Sequence, residues 1–196
     1  MNIINFKTID GDYPILFTAP HARLHRKPTL TGKLKQPEPF TDSIVEIMCM
    51  NTGTWGMILT SDITYDPNYN PEKSNGFKKS IRNLNGKKEI KEILDIHGVK
   101  NTAPYDIGIF FTRNYYKSKH LAEMLQKQLK KGKLGGSNIA ILEFPDNGQE
   151  TIGEFGASQL QIPSIQIEIA QYIREDKNLR DNFIDNMTDV VNKEFK

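Results

Sequence analysis

Cysteine and tryptophan are almost missing from this sequence of 196 residues, which holds one of each. A lone thiol closes no internal disulfide, so the fold must rest on its core. Cys49 lies between Ile47, Met48 and Met50 with no basic neighbour, and reads as a buried, inert side chain. Long apolar runs are also absent: nothing approaches the roughly 18 residues of a membrane span. The opening stretch MNIINFKTIDGDYPILF lacks the basic and long apolar regions of a secretory leader, so a cytoplasmic protein with no membrane partner is expected. Charge of one sign is missing too, since 26 basic and 24 acidic residues leave a net +2. The one basic run, residues 127–133, has no interleaved aromatics, so no nucleic-acid partner is expected. There is no phosphate-cradling glycine loop, no Gly-x-Ser-x-Gly elbow and no His-Glu-x-x-His helix. These absences remove the common nucleotide, serine-hydrolase and metalloprotease-helix chemistries.

What the chain does contain is an alternation of short apolar runs with helical patterns, which predicts one α/β domain over residues 1–196. Strands are expected at Tyr13 to Ala19, Trp55 to Thr60, Ile90 to Ile96, Asp106 to Thr112, Ile139 to Phe144 and Ser164 to Ile169. Helices are expected from about Thr41 to Met50, Tyr116 to Lys131 and Asp176 to Phe195. Leu121, Met124, Leu125 and Leu129 form the stripe of the second, and Leu179, Phe183, Met187, Val190 and Val191 that of the third. Residues 20–40, 61–87 and 145–162 read as long loops of the kind that carry function.

Reactive side chains gather at the predicted carboxyl ends of strands, where open α/β sheets place their binding crevice. His21 follows the first strand, Asp62 and Asp66 the second, and His97 closes the third. Glu168 interrupts Ile165, Ile167 and Ile169, which share one face and leave Gln166 and Glu168 on the other. That pattern fits either the wet face of an edge strand or a carboxylate projecting into a cleft as a proton acceptor. His21 and His97 are each either structural or zinc ligands, and a catalytic zinc needs three protein donors and an open position. Asp95 either orients His97 from behind or simply points to the face of the strand away from its core. His25, four residues after His21, has no helix to pair it with His21 and is not expected to be a ligand; His120 reads as solvated.

Taken in order, Ala19-Pro20-His21-Ala22, Phe40-Thr41-Asp42, Asp66-Pro67-Asn68, Leu94-Asp95-Ile96-His97-Gly98, Thr151-Ile152-Gly153-Glu154-Phe155-Gly156 and Gln166-Ile167-Glu168-Ile169 resemble the N-formylglutamate amidohydrolase family, within the zinc-carboxypeptidase-like group. The resemblance implies a three-layer α/β/α sandwich around a mixed, mostly parallel sheet, of the phosphorylase/hydrolase-like kind, and one Zn²⁺. It implies His21, His97 and Asp42 as metal ligands, with Glu38 as the alternative acid, and Glu168 as the general base. Asn68 falls among the substrate-binding residues. Tyr69 stands where the family carries an arginine for a substrate carboxylate, so Arg23, Arg82 or Arg113 must supply that contact, or the substrate is not an N-acyl amino acid. The expected activity is cleavage of an amide in an N-acyl amino acid or small peptide-like substrate. Two other readings stand beside it. One is a binding protein that kept the fold and lost catalysis. The other is a Mg²⁺ phosphatase or nuclease built on Asp62, Asp66, Asp95 and Asp106.

Overall fold

The computed structural model describes residues 5–27 and 33–194. Residues 28–32 of the 20–40 loop and Phe195, the expected end of the last helix, lie outside the described residues. Seven strands form one sheet: β1 (Phe6–Ile9), β2 (Tyr13–Ala19), β3 (Thr54–Leu59), β4 (Glu92–Val99), β5 (Ile107–Phe111), β6 (Ile139–Glu143) and β7 (Ser164–Ala170). Their order is β1-β3-β2-β4-β7-β5-β6. Pairing is parallel except at β1/β3 and β5/β7, so the sheet is mixed and mostly parallel. The helices are α1 (Thr41–Thr52), α2 (Gly76–Lys88), α3 (Tyr116–Leu129), α4 (Ile152–Gln159), α5 (Gln171–Glu175) and α6 (Lys177–Glu194).

Strand alternation divides the interior into two cores. Ile15, Phe17, Leu94, Ile96, Ile165 and Ile167 point to one face and pack under α1, α3 and α6. Leu16, Met57 and Ile93 point to the other and meet Phe77 and Ile81 of α2 and Ile152 and Phe155 of α4. The layers are therefore helix, sheet, helix, as the resemblance implied. Each fully buried aliphatic side chain contributes about 1.5–3 kcal/mol. Cys49 is buried in the first core, and burial lifts its thiol to about 11, so it stays protonated and inert.

Four elements were not expected, among them the short α5 that follows β7. β1 has only four residues. α2 and α4 lie inside segments read as loops, and both cover the second face. α2 shows only Phe77, Lys78 and Ile81 buried in a run rich in Lys, Asn and Gly, so its apolar stripe is thin. Asn75 caps its start by accepting from the Lys78 N–H. α4 spans eight residues, started by a capping box in which the Thr151 hydroxyl accepts the Glu154 N–H and Glu154 accepts the Thr151 N–H. At Gly156 a Cβ would lie 2.1 Å from Ser164 Oγ, so glycine is what lets α4 press directly onto β7.

This arrangement settles the face of Glu168. β7 is interior, between β4 and β5, so the edge-strand reading is wrong. Gln166 and Glu168 share the α4 side of the sheet with Asp95, His97 and Thr18, and β4 pairs His97 directly with Glu168.

Glu92, at the start of β4, has a buried Oε2 without a hydrogen-bond partner among the described residues. Burial lifts its pKa from 4.5 to about 8. The folded state thus keeps a proton that the unfolded chain loses near its ordinary value, and stability falls as pH rises between those two values. Because the side chain is not fully enclosed, the loss is discounted to about 2–3 kcal/mol. Glu92→Gln is expected to leave stability near pH 4 unchanged and to raise it by about that amount at pH 9. Urea unfolding at both pH values measures the difference, and an equal effect at the two would remove the protonation account.

Candidate metal centre

The end of β2 delivers His21, the end of β4 delivers Asp95 and His97, and the segment leading into α1 delivers Glu38. All four are buried. Glu38 sits between the two imidazoles: Oε1 lies 3.2 Å from His21 Nδ1, and Oε2 lies 3.1 Å from His97 Nδ1. The far nitrogens are engaged by other carboxylates, His21 Nε2 with Asp66 Oδ1 at 2.8 Å and His97 Nε2 with Asp95 Oδ2 at 2.8 Å. Each ring is therefore oriented from behind by an acid, leaving both Nδ1 atoms facing one carboxylate.

Burial would push the Glu38 carboxyl up, but His21 and His97 outweigh it and hold the pKa well below the ordinary value. Burial likewise works against a charged His97, yet Asp95 and Glu38 lift it to about 10. Asp66, opposed by burial, is lowered to about 2 by His21 and by the Asn68 N–H it accepts at 2.8 Å. A further grip on Glu38 comes from Lys35 Nζ at 2.7 Å and the Gly98 N–H at 2.9 Å. At Gly98 a Cβ would fall 2.5 Å from Cζ of the buried Arg174, so a larger residue would displace that guanidinium. That guanidinium donates to the carbonyls of Ile169 and Pro39, tying the residue after Glu38 to the end of β7.

Among the described residues, two sets of donor atoms are close enough to share an ion, His21–Glu38–His97 and His21–His25–Asp66. Ring geometry separates them. The His21 and His97 rings meet at 86°, so an ion shared by their Nδ1 atoms is not forced out of either ring plane. The His21 and His25 rings are stacked at 3.8 Å and 6°. An ion between those parallel rings would sit on the order of 1.8 Å out of each plane, nearly the whole Zn–N bond of about 2.0 Å. The second set is thus unsuited to an ion. Burial and neighbouring His21 lower His25 to about 4, so it is a neutral ring packed against His21.

Glu168 opens into the same cleft. Its Oε2 accepts a short hydrogen bond from the Tyr105 hydroxyl, and Oε1 accepts from Gln166 Nε2 at 3.1 Å. Burial and the Glu168 carboxylate together push the Tyr105 phenol above its ordinary value, so it remains a donor. Asn68 is buried at the centre, donating to Gln166 Oε1 at 3.0 Å and accepting the Ile152 N–H at 2.8 Å. It thereby joins the segment after Asp66 to the first turn of α4. The cleft of about 340 Å³ is lined by His21, Glu38, Asp66, Asn68, His97 and Glu168, among others.

The structure thus brings together His21, His97, Asp95, Asn68 and Glu168. It does not bring Asp42, the acid first expected as a ligand. Phe40 adopts a left-handed turn (φ 69°) between Glu38 and α1. Beyond that turn Asp42 pairs with Arg23 Nη1 at 2.9 Å and caps the Ser43 N–H. Glu38 holds the position instead. Arg82 and Arg113 are also elsewhere: Arg82 forks onto Glu72 at 2.6 and 2.8 Å, and Arg113 pairs with Glu143 at 3.2 Å. Neither lines the cleft, where the basic side chains besides histidine are Lys27, Lys35 and Lys100. The four aspartates of the phosphatase reading do not converge, since Asp62 caps the Leu24 N–H and Asp106 the Asn138 N–H. Tyr105 and Lys35 carried no signal in the sequence. Asp66 did, through its place before Pro67-Asn68.

No protein-family model matches the chain, and no curated protein sequence is significantly similar to it. Solved structures do match in fold. The gene product Atu2144 of Agrobacterium tumefaciens superposes with a TM-score of 0.66 at 10% identity, covering 96% of this chain and 93% of that one. The catalytic domain of CwlV, an N-acetylmuramoyl-L-alanine amidase from Bacillus (Paenibacillus) polymyxa, gives 0.54 at 13% identity, covering 93% and 99%. A metallo-carboxypeptidase from Burkholderia cenocepacia gives 0.60 at 8% identity, covering 97% and 64%. The chain is similar to amidases and a metallo-carboxypeptidase in its mixed α/β architecture.

Proposed function

We propose that the protein is a zinc-dependent amide hydrolase, with His21, Glu38 and His97 holding the ion and Glu168 as general base. The observation that carries this reading is the pair of perpendicular imidazoles, each backed by a carboxylate, whose Nδ1 atoms converge on Glu38. Two nitrogens and one carboxylate oxygen are the donor set of a catalytic zinc with an open position, and the acids behind the histidines fix their tautomers. When bound, the ion supplies Lewis acidity, lowering the pKa of water from about 15.7 toward roughly 7 and polarising a carbonyl. Glu168 takes the proton from the attacking water and returns it to the leaving nitrogen. Tyr105 and Gln166 hold the two Glu168 oxygens and keep the carboxylate turned into the cleft. The amidase and carboxypeptidase names among the structural neighbours support an amide as the bond cleaved, and the order of motifs supports an N-acyl amino acid or small peptide-like substrate.

The test is direct. Elemental analysis of the protein purified without chelator is expected to find one zinc per chain, and an N-acyl amino acid and dipeptide panel is expected to be hydrolysed with loss of activity on chelation. Absence of zinc together with absence of turnover would favour the binding-protein reading instead.

A further inference from the structure

Arg174, on the short helix α5, is only 3% exposed. Burial pushes its pKa down, and the Glu38 carboxylate is the first of the charges opposing that shift. Taking a guanidinium out of water is costly, so its hydrogen bonds must offset the loss. Among the described residues they all go to backbone carbonyls. Nε donates to Ile169 at 3.0 Å, Nη1 to Pro39 through a short bond, and Nη2 reaches Val99 at 3.5 Å. Those carbonyls lie on three separate segments, each carrying a residue of the site. Pro39 follows Glu38, Ile169 follows Glu168, and Val99 is two residues past His97. The same guanidinium fills the space beside Gly98, whose N–H donates to Glu38 Oε2 at 2.9 Å. Arg180 of α6 extends the arrangement. Its guanidinium stands 4.6 Å from the centre of the Phe40 ring, and Nη1 donates to the Arg174 carbonyl at 2.5 Å. Phe40 is the left-handed residue (φ 69°) between Glu38 and α1. An aromatic side chain does not favour that conformation, which persists only where the surroundings impose it. Here Arg174 holds the carbonyl before Phe40 and Arg180 holds its ring.

We infer that Arg174 is a positioning residue for the metal centre, setting Glu38 opposite His21 and His97 through the Pro39–Phe40 turn, with Arg180 bracing that turn from α6. The inference rests on the reading of Glu38 as a zinc ligand. A planar fork with several donors can hold carbonyls of three segments at once, whereas a lysine ammonium is a single point on a flexible stem. The role differs from that of Asp66 and Asp95, which hydrogen-bond the imidazoles directly. Among the described residues Arg174 donates to no side chain of the site, and it acts through the backbone alone.

The test measures zinc affinity, by competition against a chromogenic chelator, for Arg174→Lys, Glu38→Ala and the double variant. Arg174→Lys is expected to bind zinc about tenfold more weakly than the unsubstituted chain, as residues that orient metal ligands do. With Glu38→Ala already present the same substitution is expected to cost less than about twofold, because effects that run through one residue are not additive. A general loss of structure would weaken zinc binding equally in both backgrounds, so the cycle separates positioning from a merely structural role. Equal losses in the two backgrounds, or no loss in either, would overturn the inference and leave the metal centre standing. Failure of the unsubstituted chain to bind zinc would instead remove the hydrolase reading, and this inference with it. Should Arg174→Lys not fold, Arg180→Met carries the test, since it keeps the stem and removes only the charge over Phe40 and the donation to Arg174. Its zinc affinity is expected to fall about threefold with Glu38 present and to stay unchanged in Glu38→Ala. The same fall in both backgrounds, or none, would again overturn the inference.

Discussion

Glu168→Gln is expected to reduce kcat on a hydrolysed amide by about 10³-fold while zinc content, fold and substrate KM stay close to those of the unsubstituted protein. The substitution keeps the size of the side chain and an oxygen that can accept from Tyr105, but removes the lone pair that takes a proton. Glu168 is on an interior strand, and its other contact, Gln166 Nε2 at 3.1 Å, belongs to the same strand. The new amide nitrogen faces that donor, so this one contact is lost while the strand pairings stay. Single-turnover kinetics and elemental analysis on the same preparation check both halves. A loss under about tenfold would remove Glu168 as the base, because general-base catalysis is worth about 10²–10⁴. Tyr105→Phe is the milder companion. It keeps the ring packed against Phe110 (centroids 6.0 Å apart) and withdraws one donor from the carboxylate. Its kcat is expected to drop roughly tenfold, with KM held, as one hydrogen bond to a charged group is lost.

The parts of this site that were legible in the sequence are those carried by long-period signals. Alternation of Ile165, Ile167 and Ile169 against Gln166 and Glu168 fixes which side of β7 is reactive. The apolar run through Leu94 and Ile96 does the same for Asp95 and His97. Strand ends then bring His21, His97 and Glu168 to one rim, because parallel neighbours β2, β4 and β7 all terminate there.

Other features were not legible, each for a local reason. α4 is held by a capping box and close glycine contacts over eight residues, too short for a periodic stripe to show. α2 buries few side chains, and one of them is Lys78, whose ammonium donates to the Asn70 carbonyl at 3.1 Å and to Glu150 Oε2 at 3.0 Å. Hydropathy counts that residue as surface. Arg82 and Arg113 could be named as cations, but their neighbours Glu72 and Glu143 are set by tertiary placement. The choice between Glu38 and Asp42 turned on one residue, Phe40, taking a left-handed conformation that nothing in its side chain demands.

That choice yields the second large prediction. If Glu38 is the acidic ligand, Glu38→Gln is expected to weaken zinc binding by roughly a hundredfold or more, and Asp42→Asn to leave it within about threefold. The estimate follows from a four-coordinate zinc whose total is about 10–16 kcal/mol, so that one donor carries on the order of 3 kcal/mol. Glutamine retains an oxygen at the right reach but loses the charge that offsets two imidazoles and Lys35, all within 3.2 Å of the carboxylate. Among the described residues Asp42 meets Arg23 and the start of its own helix, with its side chain 29% exposed, so its removal costs a partly solvated pair. Competition against a chromogenic zinc chelator measures both variants on one scale. Because Glu38→Gln also takes an acceptor from buried His97, the comparison is made on protein refolded with zinc present and on protein that never lost it. Equal zinc affinity for Glu38→Gln and the unsubstituted chain would move the acidic ligand away from Glu38, and with it the centre proposed between His21 and His97. A selective loss in Glu38→Gln ties the left-handed turn at Phe40 directly to the metal, since that turn is what hands the position to Glu38 rather than Asp42.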